Sequence, residues 1–159
     1  MKNINLNSDI GEGFGVYDIG NDTEMLKIVN SANIACGFHA GDPNVMDRVV
    51  KQSIKNGVSI GAHPGFNDLW GFGRRQIQMS TDEIEASIAY QIGALQAISA
   101  TNNAIVTHVK PHGALNNMSS LDPAIATAIA RGVNLVDPKL ILVAVSGSFL
   151  FSAGQALGL

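Results

Sequence analysis

Every histidine of this chain follows an apolar run and lies in a short segment rich in glycine and proline. The sequence reads NIACGFHAGDP at residues 33–43, IGAHPG at 60–65 and VTHVKPHG at 106–113. A fourth such segment, INLNSDIGEG at residues 4–13, carries the carboxylates Asp9 and Glu12 instead. Titratable groups placed at the carboxyl ends of strands are how a barrel-like α/β sheet assembles an active site. The pattern therefore predicts an enzyme.

Asp9 and Glu12 flank a glycine turn that follows the first predicted strand. One of them would serve as a general base, and the other as a positioning acid or a metal ligand. The structural alternative is that Asp9 caps a turn and that Glu12 is simply solvated.

His39 and His63 follow neighbouring predicted strands, so their imidazoles are expected to meet above the sheet. Together with Asp9 they form a His/His/carboxylate set, which suits either a hydrolytic metal or acid–base chemistry. No HxxxH spacing supports the metal, and acid–base chemistry needs fewer assumptions. Each histidine alone would be explained equally well as a hydrogen-bonded core residue. Whether a metal binds is left open.

The sharpest local motif is the KPHG segment that contains Lys110 and His112. A lysine at a strand end in a partly dry site can stabilise developing negative charge or offer an amine of lowered pKa. The alternative is a surface lysine beside a capping histidine. His108 shares the face of Lys110 if the strand is regular, and we interpret it as a structural lining residue.

A long loop, HPGFNDLWGFGRR at residues 63–75, contains both candidate substrate-binding arginines. Arg74 or Arg75 would grip a carboxylate or phosphate from a lid. Alternatively, the loop ties itself down through an Arg–Asp pair and by burying Trp70. Asn7 and Asn33, near strand ends, would orient substrate or only satisfy loop backbone. The single cysteine, Cys36, is interpreted as a small buried hydrophobic residue rather than a nucleophile.

Strand-like and helix-like segments alternate at the spacing of βαβ units, which favours a parallel sheet with helices outside it. Helices are expected over Thr23–Asn30, from the Asp42-Pro43 and Asp122-Pro123 caps, from the STDE capping box at 80–83, and near Phe149. We interpret Arg131-Gly132 as a helix end. The predicted strands are Asn3–Asn7, Ser31–Cys36, Val58–Ala62, Ile105–Val109 and Leu140–Val145.

Composition restricts the function class. The 159 residues are 46% hydrophobic and 14% charged, which indicates one globular domain, 1–159, rather than a disordered chain. A net charge of −3 and a lack of basic clusters beyond Arg74-Arg75 argue against nucleic acid as a partner. No signal peptide and no apolar run long enough for a membrane span are found, and a lone cysteine fits a cytoplasmic protein. No P-loop and no in-register Rossmann turn occur.

These segments together resemble the LamB/YcsF family. The resemblance rests on NLNSDIGEGFG at residues 5–15, NIACGFHAGDP at 33–43, GAHPG at 61–65, GFGRR at 71–75 and KPHGALN at 110–116. Asn116 departs from the tyrosine usual in the family. The resemblance implies an α/β fold similar to the incomplete (β/α) barrel of polysaccharide deacetylases, here truncated after the fifth strand and lacking its C-terminal third.

The same resemblance implies a 5-oxoprolinase activity, in which the lactam of 5-oxo-L-proline is cleaved to L-glutamate at the expense of ATP. It implies partner subunits B and C, with ATP bound on those partners. Asp9 with His39 or His63 would activate water, while Lys110 and His112 would stabilise the oxyanion and protonate the leaving nitrogen. The alternatives are a metal-dependent, deacetylase-like C–N hydrolase and an inactive binding fragment.

Overall fold

The computed structural model of the protein describes residues 4–159 and shows a five-stranded, fully parallel sheet. The strands lie side by side in chain order: β1 (Asn7–Ile10), β2 (Ser31–Ala35), β3 (Ser59–His63), β4 (Val106–Val109) and β5 (Ile141–Leu142). Among the described residues, β1 and β5 each pair with a single strand, so the sheet is open. The predicted α/β class and its incomplete-barrel order are confirmed.

In the part of the chain that the structure describes, six helices connect and follow the strands. They are α1 (Asp22–Met25), α2 (Pro43–Asn56), α3 (Thr81–Thr101), α4 (Gly113–Leu121), α5 (Pro123–Val136) and α6 (Phe149–Leu157). Asp42 and Asp122 accept backbone N–H bonds at the starts of α2 and α5, each followed by proline. Ser80 and Glu83 form the capping box of α3. Within residues 4–159, none of these helices has both the length and the apolar character that crossing a bilayer requires.

One face of the sheet forms the hydrophobic core with the helices. Side chains alternate between the faces of a strand, and the buried apolar set on this face includes Ile34, Ile60 and Ala62. They belong to one buried cluster with Val49 of α2 and Ile88 of α3. This packing fixes the sheet against its helical layer and leaves the opposite face for polar residues.

The opposite face is polar because the register aligns hydrophilic residues across the strands. Asp9 pairs with Asn33, Asn33 with Gly61, and Gly61 with His108. The register of β3 and β4 shifts after Ile60, which leaves Thr107 without a partner and turns His108 toward the polar face. This bulge in β4 therefore determines the direction in which the candidate site residues on and after β4 point.

Several elements differ from the sequence-based expectations, among them β5, which covers only Ile141–Leu142 of the predicted Leu140–Val145. The first strand begins at Asn7 instead of ending there, and Asn3 lies outside the described residues, so Asp9 is part of β1. Helix α1 has only four residues and ends at Met25. Helix α4 has no counterpart among the predicted helices, because His112 provides no side-chain cap at its start. The predicted helix end at Arg131-Gly132 is wrong, because α5 continues to Val136.

Gly132 has a packing role in place of the predicted capping role. A Cβ at this position would lie 2.9 Å from both the carbonyl oxygen of Glu85 and the Cβ of Ile88 in α3. Glycine therefore permits the close approach of α5 to α3, so its presence inside the helix does not mark an end.

Candidate active site

The candidate site lies at the carboxyl end of the sheet, where side chains from β1 and from three post-strand loops converge. Asp9 is carried by β1, His63 ends β3, and Lys110 follows β4. The loop after β4 is attached to the loop after β3, since the His112 backbone N–H donates to the Pro64 carbonyl at 2.8 Å. The sheet register and this loop contact together bring distant sequence segments to one point.

Asp9 is the centre of a charged network. Its Oδ1 accepts from the Lys110 ammonium at 2.8 Å and from the Asn33 amide at 2.9 Å, and its Oδ2 lies 3.3 Å from Nε2 of His63. Burial alone would raise the pKa of Asp9, but the hydrogen bonds and charges of His63 and Lys110 hold it well below its ordinary value. Asp9 is therefore ionised, and it positions the Lys110 ammonium over the polar face.

Asn33 forms hydrogen bonds with the side chains that lie beneath this ion pair. Its amide donates to the side-chain oxygens of Asn7 and Asp9, both at 2.9 Å. Its Oδ1 faces Nε2 of His108 at 3.1 Å, so His108 carries its proton on Nε2 and donates. Burial lowers the pKa of His108, which favours the neutral ring. Asn7, Asn33 and His108 thus form a structural layer that orients Asp9.

Three histidines and Glu12 lie beside Asp9. The rings of His39 and His112 stack with centroids 3.7 Å apart, and Nε2 of His63 lies 3.0 Å from Nδ1 of His112. His39 donates through Nε2 to Glu12 Oε1 at 3.2 Å, while its buried Nδ1 has no hydrogen-bond partner among the described residues. The expected meeting of His39 and His63 is found, since their rings lie edge to face with centroids 5.3 Å apart, and His112 and Glu12 join them.

Backbone carbonyls fix the tautomers of two of these rings. His63 donates through Nδ1 to the Lys110 carbonyl at 2.6 Å, and His112 donates through Nε2 to the Phe72 carbonyl at 2.7 Å. Since a carbonyl oxygen only accepts, both protons are assigned to the outer ring nitrogens. Burial lowers the pKa of His39 and of His112, and neighbouring imidazoles further disfavour the charged form of each ring. Neutral rings therefore predominate for both.

The four donors form a compact set that could hold a metal ion. One ligand atom from each of Glu12, His39, His63 and His112 lies within 4.8 Å of the others. This set differs from the Asp9, His39 and His63 combination expected from the sequence, since Glu12 and His112 take part. It offers imidazole nitrogen and carboxylate oxygen, which suit a divalent transition metal.

Two neighbouring residues that sequence reasoning overlooked hold the loops in place. The buried Gln91 of α3 accepts from the Gly65 N–H at 2.9 Å and donates to the Gly65 carbonyl at 3.0 Å. Gly73 has a φ of +63°, and a Cβ there would lie 2.7 Å from Cβ of His39 and 2.9 Å from the His112 ring. A polar residue on the buried face of a helix was the available signal for Gln91.

The loop at residues 63–75 contains the Arg–Asp pair of its structural interpretation but does not bury its tryptophan. Arg75 forms an ion pair with the buried carboxylate of Asp68, which also accepts from the Gly71 N–H at 2.9 Å. Trp70 is 97% exposed, so the expected burial of this ring is wrong. The guanidinium of Arg74 lies over the ring of Phe72, 5.3 Å from its centroid. Arg74 remains the arginine available near the site, whereas Arg75 is engaged elsewhere.

A cleft of about 460 Å³ opens beside the histidines. Its walls are mostly apolar, and its lining residues are Glu12, Phe14, Tyr17, Ile19, His39, Ala40, Leu69, Trp70 and Phe72. Cys36 takes no part in this chemistry, because it is buried and burial raises the pKa of its thiol to about 12. The cleft gives a small ligand access to the carboxylate–histidine cluster.

Known proteins are similar in sequence to this chain over nearly its whole length. The sequence profile of the LamB/YcsF family matches residues 4–159. The 5-oxoprolinase A subunit of Geobacillus kaustophilus (strain HTA426) is 57% identical over all 159 residues, and that of Clostridium kluyveri is 55% identical. The chain spans 62% of the length of both relatives.

A solved structure shows the same fold. The lactam utilization protein from Thermus thermophilus superposes with a TM-score of 0.98 at 43% identity, over 99% of this chain and 64% of that protein. The shared sequence and the shared fold lead to one conclusion: this chain belongs to the LamB/YcsF family.

Proposed function

We propose that this chain is the lactam-hydrolysing part of a 5-oxoprolinase, which converts 5-oxo-L-proline and water into L-glutamate. The observation that carries the proposal is the Asp9–Lys110 ion pair beside the cluster of Glu12, His39, His63 and His112. A carboxylate and an ammonium beside such a cluster can supply the general base and the oxyanion stabilisation that amide hydrolysis uses. Relatives more than half identical to this chain carry the name of a 5-oxoprolinase, which supports this substrate.

The proposed reaction begins with a water molecule held by the Glu12–histidine cluster. Its oxygen bonds to the lactam carbonyl carbon while Asp9 accepts a proton, because the Asp9 carboxylate is partly exposed at the edge of the cluster, with Oδ2 3.3 Å from Nε2 of His63. The carbon–nitrogen bond of the tetrahedral intermediate then breaks. Asp9 returns the proton to the leaving nitrogen, which becomes the amino group of glutamate.

Lys110 would stabilise the oxyanion of that intermediate. Its ammonium is held in place by Asp9 and is only 30% exposed, so its charge acts in a partly water-excluded site. This assignment is narrower than the sequence-based expectation, which shares the role with His112. The Nε2 proton of His112 is engaged by the Phe72 carbonyl, and its Nδ1 faces His63.

Substrate binding is assigned to the cleft and its rim. Arg74 is exposed next to Phe72, where its guanidinium would pair with the substrate carboxylate, and the apolar wall would contact the ring methylenes. Arg75 is not assigned to substrate because Asp68 engages it.

ATP is assigned to partner subunits, B and C in this proposal. The sequence contains no P-loop, and the relatives are themselves named as one subunit of an enzyme, which supports the existence of partners. Cytoplasmic location is part of the same proposal, since the single cysteine is buried and unpaired, as is typical of a reducing compartment.

The test is release of glutamate from 5-oxo-L-proline and ATP in the presence of subunits B and C. Reactions would contain this chain, omit it, or replace it with His63→Ala or with the complete Geobacillus kaustophilus relative. We expect glutamate to require the chain and to disappear with His63→Ala. Glutamate release with the relative but not with the chain would overturn the proposal for these 159 residues. No glutamate release with either protein would overturn the proposed reaction.

A further inference from the structure

We propose that Glu12, His63 and His112 bind a divalent transition-metal ion of the Zn²⁺ type beside the cleft that Glu12 lines. This inference deepens the proposed function, because the ion would hold the attacking water in the same site. Its test, however, is metal binding and does not require turnover.

The inner nitrogens of two imidazoles face each other in this cluster. The outer nitrogens of His63 and His112 both donate to carbonyl oxygens, at 2.6 and 2.7 Å. Their inner nitrogens, His63 Nε2 and His112 Nδ1, lie 3.0 Å apart, and Oδ2 of Asp9 lies 3.3 Å from His63 Nε2. Because two unprotonated nitrogens this close to each other and to a carboxylate repel, the arrangement needs a cation, either a proton or a metal ion.

The position of Glu12 decides which cation fits. Its Oε1 lies 3.7 Å from Nδ1 of His112 and 3.9 Å from Nε2 of His63. A proton on His63 Nε2 would bond to His112 Nδ1 or to Asp9 Oδ2, 3.3 Å away, and would involve Glu12 in neither case. A tetrahedral ion with bonds of about 2.0–2.1 Å separates its ligand atoms by roughly 3.4 Å, which lies within the range of the three observed edges. The dimensions of the triangle, with Glu12 as its third donor, therefore fit a metal ion.

The surrounding hydrogen bonds are those of a metal site. Metal-binding histidines typically donate their second N–H to a carbonyl or carboxylate, which fixes the tautomer, and metal-binding carboxylates are themselves hydrogen-bonded. His63 and His112 have their carbonyl partners, and His39 donates to Glu12 Oε1 at 3.2 Å. His39 is thus assigned as a positioning residue for Glu12. Two histidines and one glutamate are a set that catalytic zinc sites use.

The experiment is a titration of the chelator-stripped chain with Co²⁺, followed by visible absorption, with Zn²⁺ content measured by mass spectrometry after dialysis. We expect one ion per chain, a four-coordinate Co²⁺ spectrum, its displacement by Zn²⁺, and a higher unfolding temperature with either ion. Glu12→Gln keeps the shape of the side chain and should weaken Co²⁺ binding more than about a hundredfold. His39→Asn should weaken it about ten- to a hundredfold.

Matched variants distinguish the loss of a metal ligand from misfolding. Glu24→Gln makes the same change on the exposed surface of α1, and His108→Asn alters a buried histidine outside the triangle; both should bind Co²⁺ like the wild type. Absence of bound ion in the folded wild-type chain, or equal binding by Glu12→Gln, would overturn the inference.

Failure of the inference and failure of the proposed function are distinguishable. Zn²⁺ binding by a chain that yields no glutamate with its partners would leave the site intact and remove the reaction. Glutamate release at the full rate by a metal-free chain would do the reverse.

Discussion

Lys110 reaches across the polar face of the sheet, from the end of β4 to Asp9 on β1. The Nζ–Oδ1 distance of 2.8 Å makes it the direct cationic partner of that carboxylate. Replacing Lys110 with methionine removes the charge and keeps the length of the side chain. We expect glutamate release to fall about 10²–10³-fold, the cost of losing one oxyanion donor. The pKa of Asp9 should rise toward its ordinary value, as measured by NMR of its carboxyl carbon.

The matched control for this prediction is Lys139→Met, which makes the same change at an exposed lysine before β5. It should leave both the turnover and the pKa of Asp9 unchanged. Wild-type glutamate release by Lys110→Met would remove Lys110 from the catalytic assignment.

Position 61 requires glycine for a steric reason, which a measurement of the free energy of unfolding can test. A Cβ at this position would overlap the ring of His108, which is buried and bonded to Asn33. We expect Gly61→Ala to lower the free energy of unfolding by about 1–3 kcal/mol, as overpacking does. Gly93→Ala in α3 meets no atom within 4 Å and should raise the same quantity by about 0.5–1 kcal/mol. Equal effects in urea unfolding would contradict the steric argument.

At the level of single residues, the sequence indicates which groups converge but not which of them touch. Glycine and proline beside titratable residues after apolar runs point to Asp9, Glu12 and the histidines. The contact between His63 and His112 depends on the bulge at Thr107 and on the His112–Pro64 hydrogen bond. Neither has a local sequence signal, so the sequence predicts the contact between His39 and His63, which the structure contains, but not the contact between His63 and His112.

The loop at residues 63–75 is held by the Asp68–Arg75 ion pair, and its stability should depend on pH. The hydrogen bond from Arg75 lowers the pKa of Asp68 from 3.8 to about 2. A carboxyl whose pKa is lower in the folded state stabilises the fold above its unfolded pKa, and that contribution is lost as the pH falls through the folded value. Between pH 4 and 2, the free energy of unfolding should therefore fall more steeply for the wild type than for Asp68→Asn.

Urea unfolding of both proteins at several pH values in this window measures the difference. Parallel curves for the wild type and Asp68→Asn would show that the ion pair does not tie down the loop.

Trp70 gives a direct report on what covers the cleft. It is the only tryptophan of the chain, it lines the cleft, and 97% of it is exposed. Its fluorescence should be red-shifted and readily quenched by acrylamide. Binding of 5-oxo-L-proline or a partner subunit over the rim should shift the emission to shorter wavelength and reduce quenching. Unchanged emission in the assembled complex would place the interface away from this rim.

At the level of elements, strong capping signals predict α2, α3 and α5 correctly, and weak ones fail. Asp–Pro pairs and the capping box supply hydrogen bonds within one turn, so they act without tertiary help. Helix α4 has no side-chain cap, and its start depends on the Gly73 carbonyl that accepts from the Ala114 N–H. The predicted first strand is displaced because β1 is defined by pairing with β2, which residues 4–10 alone cannot reveal.

At the scale of the whole molecule, the alternation of strands and helices predicts the parallel sheet correctly. This part succeeds because consecutive βαβ units place successive strands side by side. The connected polar network of Asn7, Asn33 and His108 has no such signal in the sequence. It depends on strand register, a property that the pairing of separate segments determines.

One measurement tests whether Asp9 acts directly in lactam hydrolysis. Glutamate release from 5-oxo-L-proline and ATP would be compared for the wild type and Asp9→Asn, each assembled with subunits B and C. The side-chain amide of the variant cannot accept the proton from water, so release should fall more than about a hundredfold while assembly is unchanged. Glutamate release by Asp9→Asn within a few fold of the wild type would show that Asp9 does not accept this proton.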